Sequence, residues 1–326
     1  MRRYASRLLV VLVLISAAVY LFNASWRVPA GATEIRLIAH RGVHQTFARE
    51  GLQNDTCTAE RIDPPTHSYL ENTLPSMRAA FAAGADVVEL DVHPTTDGKF
   101  AVLHDWTIDC RTQAQGVTRQ HTMAYLKSLD VGYGYTADGG RSFPLRGRGV
   151  GLMPELSEVF RAMPEGRFLI NFKSREAREG DMLAALMNER PEWRAALWGV
   201  YGGDEPTRRA EELLGTGLRT WSRQSMMACL GRYLAMGWAG VMPEACKGTT
   251  IMIPSNVAPW LWGWPHLLLK RMHDAGSVVI LLGPYTSGDL GAAGIDTLED
   301  LARVPAGFSG YLWTNKIELI GPAVKR

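Results

Sequence analysis

From Glu34 onward, short runs rich in β-branched and aromatic residues alternate with stretches whose apolar positions recur every three or four residues. The first kind predicts strands at Ile35–Ala39, Val87–Val92, Arg167–Phe172, Leu197–Tyr201, Leu218–Trp221, Ala239–Met242, Ser277–Leu282 and Gly310–Trp313. The second predicts helices at Leu74–Ala83, Leu156–Ala162, Asp181–Glu189, Thr207–Leu214, Leu230–Met236, His266–Ala275 and Leu298–Ala302, several ending at Gly or Pro. Eight strands alternating with helices imply α/β architecture, and specifically a closed parallel (β/α)8 TIM barrel. A doubly wound open sheet shares the alternation, but no G-x-G-x-x-G follows the first strand, so a dinucleotide-binding version loses support. Length fits a single barrel domain over residues 31–326, preceded by a separate segment over residues 1–30.

Two stretches exceed the minimal repeat. Val43–Leu70 separates the first strand from its helix, and His93–Gly151 follows the second strand and holds another strand-like run at Phe100–Leu103. Both are long βα insertions. Such loops rise at the C-terminal ends of barrel strands, where a site is expected, so they are expected to wall it.

The first thirty residues have a different pattern. Arg2, Arg3 and Arg7 precede an uncharged run from Leu8 to Phe22, and Asn23–Trp26 extends it without charge. The segment is expected to be an N-terminal transmembrane helix acting as an uncleaved signal anchor, because Leu8–Trp26 is just long enough to span. The small-residue tripeptide Ala30-Gly31-Ala32 makes a poor cleavage site beside Pro29. The arginines should stay in the cytoplasm, placing the body on the periplasmic or extracellular side.

Composition adds only exclusions. Apolar residues make up 46% and charged residues 21%, ample for a core and without a disorder signature. Formal net charge is only +2, so no nucleic-acid partner is expected. Four cysteines suit an oxidising compartment and allow three pairings. Cys57 with Cys110 and Cys229 with Cys246 are expected, the first pair flanking one mouth of the barrel and the second being close in sequence and bracketing the sixth strand.

Polar residues gather at strand ends: His40-Arg41-Gly42 after the first strand, Glu89 and Asp91 in the second, Asn171 and Lys173 at the third, and Trp313 at the eighth. Glu89 and Asp91, two apart on a strand, share a face and can present two carboxylates to one hard cation. His40-Arg41-Gly42, Glu71-Asn72-Thr73, Glu89-Leu90-Asp91 with Asp97-Gly98, and His104-Asp105 resemble, in order, the signature of glycerophosphodiester phosphodiesterases. Pro154-Glu155-Leu156, Asn171-x-Lys173 and Leu312-Trp313-Thr314 extend the likeness, which runs from about Arg36 to Thr314 and thins after His104.

The resemblance implies His40 and His104 as the catalytic acid/base pair, and Glu89, Asp91 and Asn171 around one divalent cation, Mg²⁺ or Ca²⁺. It implies Arg41 and Lys173 on the phosphate and Glu71 as organiser of Arg41 and the metal's surroundings. Trp313 is either a substrate wall or a core residue. The expected reaction is hydrolysis of a glycerophosphodiester, or a phospholipid with that headgroup, to sn-glycerol 3-phosphate and an alcohol. A lyase that stops at a cyclic phosphate and a phosphodiester-binding barrel without turnover are the alternatives. Asn171 stands where most members carry glutamate, which lowers the formal charge of the metal site and should weaken its grip on the ion.

His44, His67, His121, His266 and His273 are read as surface or satisfied core residues, and His93 as able to touch the site. Trp260, Trp262 and Trp264 mark either a buried cap or a surface resting on a bilayer.

Overall fold

The computed structural model describes residues 2–30, 35–53, 56–215, 217–286 and 293–324. After helix α1 (Arg2–Phe22), the chain runs β1 (Arg36–Ala39), α2 (Leu74–Ala82), β2 (Val87–Pro94), β3 (Phe100–Val102), α3 (Met123–Ser128) and α4 (Leu156–Ala162). It continues through β4 (Phe168–Phe172), α5 (Arg178–Glu189), β5 (Leu197–Gly202), α6 (Asp204–Leu214), β6 (Arg219–Ser222) and α7 (Arg223–Met236). The last elements are β7 (Thr250–Pro254), α8 (His266–Asp274), β8 (Val278–Leu282), α9 (Leu298–Ala302), β9 (Tyr311–Thr314) and α10 (Ile317–Ala323).

Eight parallel strands pair in the order β6-β5-β4-β2-β1-β9-β8-β7, with β3 antiparallel on the extension of β2. The barrel is nearly closed. Across the seam between β6 and β7, the Thr249 hydroxyl donates to the Thr220 carbonyl at 3.4 Å. Ile38, Val87, Leu169, Trp198, Trp221, Ile280, Tyr311 and Trp313 fill the interior as a packed core. A larger cluster joins the outer strand faces to the helices, and a third core lies within the two insertions, from Ala59, Ile62 and Leu70 to Leu126, Tyr135 and Met153. Local signals set several helix starts. Thr73 caps α2 by accepting from the Ser76 N–H, and Glu155 with Glu158 forms a reciprocal capping box on α4.

One expected strand is absent. Ala239–Met242 is not a strand: a 3-10 turn occupies Gly237–Ala239, and Gly240, at φ 77°, turns the chain away in the left-handed region. The barrel strand is Thr250–Pro254, whose β-branched Thr250, Ile251 and Ile253 are buried as an inner-sheet run demands. Both expected disulfides are present, Cys57–Cys110 and Cys229–Cys246. The second ties α7 to the turn at Glu244–Cys246 ahead of β7 and does not bracket a strand.

Helix α1 forms, and its apolar side chains from Leu8 to Ile15 are exposed. Among the described residues, no helix is long and apolar enough to cross a membrane. The C-terminal end of α1 is docked on the barrel. Asn23 donates to the Trp238 carbonyl at 2.8 Å and accepts from the Arg271 guanidinium at 2.9 Å. The tripeptide Ala30-Gly31-Ala32 lies partly outside the described residues. Trp260 is exposed, whereas Trp262 and Trp264 are half-buried and pack on the main core.

Candidate active site

Parallel register builds the site in layers. Asp91 pairs with Asn171 across β2 and β4, and Asn171 with Tyr201 across β4 and β5, so three polar side chains stand side by side. Glu89, one inward-facing position earlier, is fully buried; its carboxylate accepts from the Tyr201 hydroxyl at 2.7 Å and from the Arg41 backbone N–H at 3.2 Å. Burial and the neighbouring Asp91 charge push its carboxyl above the ordinary range.

Asp91 is the opposite case. Burial disfavours its charge, but Lys173 and Arg41 outweigh that and hold it far below its ordinary value. Lys173 Nζ lies 3.5 Å and Arg41 Nε 3.2 Å from its oxygens, and the side-chain amides of Asn72 and Asn171 donate at 3.1 and 2.9 Å.

Arg41 follows β1 with φ 57°, and Asn72 sits at φ 59°. Left-handed backbone costs a non-glycine residue about 1–2 kcal/mol, so the surroundings must enforce it. They do: the Arg41 carbonyl accepts from the Asn72 N–H at 3.0 Å and from the Ser76 hydroxyl at 3.1 Å. Gly42 at φ 79° completes the turn, and a Cβ there would come within 2.2 Å of Ser76 Oγ. Gly202, at φ 111°, allows an equally close approach, since its Cβ would meet Asn171 Oδ1 at 2.4 Å.

The two histidines are held differently. His40 Nδ1 donates to Asn315 Oδ1 at 2.6 Å. The amide cannot be turned round, because Asn315 Nδ2 donates to the Asp296 carboxylate at 2.8 Å and Asp296 also accepts the Asn315 N–H at 2.6 Å. The neutral His40 ring therefore carries its lone pair on Nε2, 3.9 Å from Glu89 Oε2. Burial, reinforced by the Arg41 charge, depresses its pKa well below that of free histidine. Trp313 packs on the His40 ring at 4.8 Å between centroids and is only 2% exposed, which leaves little of its face for a substrate.

His104 comes from the second insertion. Its Nδ1 donates to Asp105 Oδ1 at 2.8 Å, and Asp105 is gripped by Arg111 Nε at 2.8 Å. Burial and the charges of Arg41 and Lys173 lower the His104 pKa, against the pull of Asp105. Glu71 accepts from Arg41 at 3.1 Å, and its second oxygen lies 3.2 Å from Arg111.

Sequence reasoning missed Tyr201, Asn315, Asp296 and Arg111. Asn315 directly follows Leu312-Trp313-Thr314, the one available signal; the others are marked only by tertiary contact. His44, read as a bland residue, is buried 5.8 Å from the His40 ring, and its Nε2 has no hydrogen-bond partner among the described residues. His93 is fully buried beside the His104 carbonyl, at 3.3 Å, and burial lowers its pKa to about 3.

Residues 40–188 match the Glycerophosphoryl diester phosphodiesterase family. The matched segment takes in His40, Arg41, Glu71, Glu89, Asp91, His104, Asn171 and Lys173, and leaves out Trp313 and Asn315. A glycerophosphodiester phosphodiesterase of Caldanaerobacter subterraneus is 35% identical over 105 residues, 32% of this chain and 39% of that protein. One from Bacillus altitudinis is 31% identical over 107 residues, 32% of this chain and 40% of that protein. The aligned region thus spans about two fifths of these curated relatives.

Among solved structures, a glycerophosphodiester phosphodiesterase from Agrobacterium tumefaciens superposes with TM-score 0.55 at 18% identity, covering 88% of this chain and 99% of that one. An Oleispira antarctica phosphodiesterase in complex with the product sn-glycerol-3-phosphate gives 0.52 at 18%, covering 89% and 97%. These likenesses establish the barrel fold.

A divalent cation is the group this likeness implies. Among the described residues no three His, Cys, Asp or Glu side chains converge as a metal site. The donor set is the two carboxylates, joined by the Asn171 amide once it turns its oxygen in place of the Nδ2 that now donates to Asp91, and it fits a hard cation: among the described residues no Lys or Arg side chain lies within salt-bridge distance of the fully buried Glu89.

Proposed function

We propose that the chain hydrolyses glycerophosphodiesters, or lipids carrying that headgroup, to sn-glycerol 3-phosphate and an alcohol. The observation that carries this is the pair of imidazoles, each tied at Nδ1, at the mouth that also holds Arg41, Lys173 and the Glu89–Asp91 pair. Cleaving a phosphodiester needs its negative oxygens neutralised, its nucleophile deprotonated and its leaving alkoxide protonated.

Arg41 and Lys173 supply positive charge. His40, with its lone pair on Nε2, takes the proton from the attacking hydroxyl, either the glycerol 2-hydroxyl or water. His104 in its protonated form gives a proton to the leaving alkoxide, and the carboxylate of Asp105 stabilises that form, as an amide would not, against the burial and positive charge that lower its pKa. Where the 2-hydroxyl attacks first, water opens the cyclic phosphate with the two roles exchanged. Glu89, Asp91 and Asn171 would hold a Mg²⁺ or Ca²⁺ ion, which supplies further stabilisation of charge on the phosphoryl oxygens when bound. The sn-glycerol-3-phosphate held by the Oleispira antarctica protein supports this choice of product.

The exposed apolar side chains of α1 support attachment to a membrane through that helix, and the two disulfides support an extracytoplasmic body. The test is release of glycerol 3-phosphate from glycerophosphocholine by the full chain, with EDTA and then with added Mg²⁺ or Ca²⁺. Turnover restored by a cation is the expected result. A cyclic phosphate as sole product, seen by phosphorus NMR, would make the chain a lyase, and tight binding without product would make it a binding barrel.

A further inference from the structure

The mechanism above leaves one large buried cation without a task. Arg111 lies in the second insertion, outside the barrel proper, with its side chain 2% exposed. All three guanidinium nitrogens are engaged. Nε donates to Asp105 Oδ2 at 2.8 Å, while Nη2 reaches Thr58 Oγ1 at 2.8 Å and Asp105 Oδ1 at 3.5 Å. Nη1 donates to the Tyr135 hydroxyl and lies 3.2 Å from Glu71 Oε2.

Its two carboxylate partners each hold a different residue of the site. Asp105 holds Nδ1 of His104, and Glu71 holds the guanidinium of Arg41, so one side chain stands two contacts from a proton-transfer group and two from a phosphate-holding group. Cys57–Cys110 fixes this arrangement covalently, because Thr58 and Arg111 are the immediate neighbours of the bridged cysteines.

We propose that Arg111 is a positioning residue that couples His104 to Arg41 across the two insertions. A planar fork is needed because two carboxylates must be gripped at fixed angles from one centre; a lysine ammonium offers charge without that geometry. With Asp105 Oδ2 held by Arg111, Oδ1 is presented to His104 and the ring cannot turn without losing its hydrogen bond to that fixed carboxylate. With Glu71 shared between Arg111 and Arg41, neither guanidinium can move without exposing a buried carboxylate.

The test compares the parent full chain with Arg111→Lys, both labelled with nitrogen-15 at histidine, using His104→Ala to identify the His104 ring signals. In Arg111→Lys those signals move, reporting a changed tautomer or partner at Nδ1, while those of His40, backed by Asn315, stay in place. Hydrolysis of glycerophosphocholine then falls by about 10- to 100-fold in kcat, the cost of a misplaced group, with a smaller change in KM. Should Arg111→Lys not fold, Thr58→Val and Tyr135→Phe each remove one contact to Arg111 and are expected to move the same His104 signals by less. His104 signals identical to those of the parent in every folded variant would overturn the proposal. The kinetic arm rests on the hydrolase reading above; the spectra need no substrate, so a chain without turnover still decides the role of Arg111.

Discussion

The two candidate catalytic histidines sit in regions built on different principles. His40 belongs to the barrel: it follows β1 directly, packs on Trp313 and is backed by the Asn315 amide at the end of β9. His104 belongs to the insertions, which have their own apolar core and a disulfide, and it is backed by a carboxylate gripped by Arg111. The barrel supplies rigidity through its strand ladder. The insertion has only the short β3 on that ladder and substitutes covalent and ionic clamps. The backing group follows the same division: an amide leaves the neutral His40 with its lone pair on Nε2, whereas a carboxylate offsets part of the burial and positive charge that lower the His104 pKa.

The sharpest way to break this comparison is to remove each imidazole. His40→Ala and His104→Ala should each lower the rate of glycerophosphocholine hydrolysis by roughly two to four powers of ten. A parent-like rate in one of them would reduce that region to scaffolding.

Disulfides probe the difference in construction. Closing loops of 53 and 17 residues, Cys57–Cys110 and Cys229–Cys246 should contribute about 4 and about 3 kcal/mol by loop entropy. Thermal unfolding of the two double Cys→Ser variants should rank them in that order. Turnover at a temperature where both are folded should fall only in the first, whose bridged cysteines adjoin Thr58 and Arg111. Equal losses of turnover would erase the distinction.

Acid tests the burial that both regions share. His40, His44, His93 and His104 all have folded pKa values below the free value of 6.5, with His93 lowered to about 3. A lowered folded value means that the unfolded chain takes up the proton first. Their contribution to stability is therefore complete above about pH 6.5 and is lost as pH falls toward the folded values, with a limiting slope of about 1.4 kcal/mol per pH unit for each histidine. Glu89 works the other way, its raised value costing stability as pH rises above the ordinary carboxylate range. With His67 also lowered and Glu179 and Glu318 also raised, five histidines against three carboxylates predict a net loss below pH 6.5 in urea titrations of the cation-free chain; constant stability from pH 7 to 5 would contradict the buried, neutral state.

The smallest expected effect lies between the regions. Asn171→Glu adds a carboxylate beside Asp91 and should tighten binding of Mg²⁺ or Ca²⁺ by about tenfold or more in a calorimetric titration. An unchanged affinity would place Asn171 outside the ion's reach.

Much of this molecule was legible in the chain itself. Periodicity gave seven of the barrel strands, because β-branched runs and 3.6-residue patterns are local. Motif order gathered His40, Arg41, Glu71, Glu89, Asp91, His104, Asn171 and Lys173: parallel strands put the ends of β1, β2 and β4 at one mouth, and the loops that carry Glu71 and His104 rise from that same end. The strand at Thr250–Pro254 was not legible, since a short apolar run carries no mark of the sheet it will join, and Gly240 redirects the chain only through its backbone angle. Nor was the backing of the two histidines. Asn315 reaches His40 from 275 residues away, and Arg111 joins Asp105, Glu71, Thr58 and Tyr135 from separate parts of the insertions. Hydrogen bonds and buried ion pairs depend on distance in space, so which proton each imidazole holds was decided only when the tertiary structure closed around it.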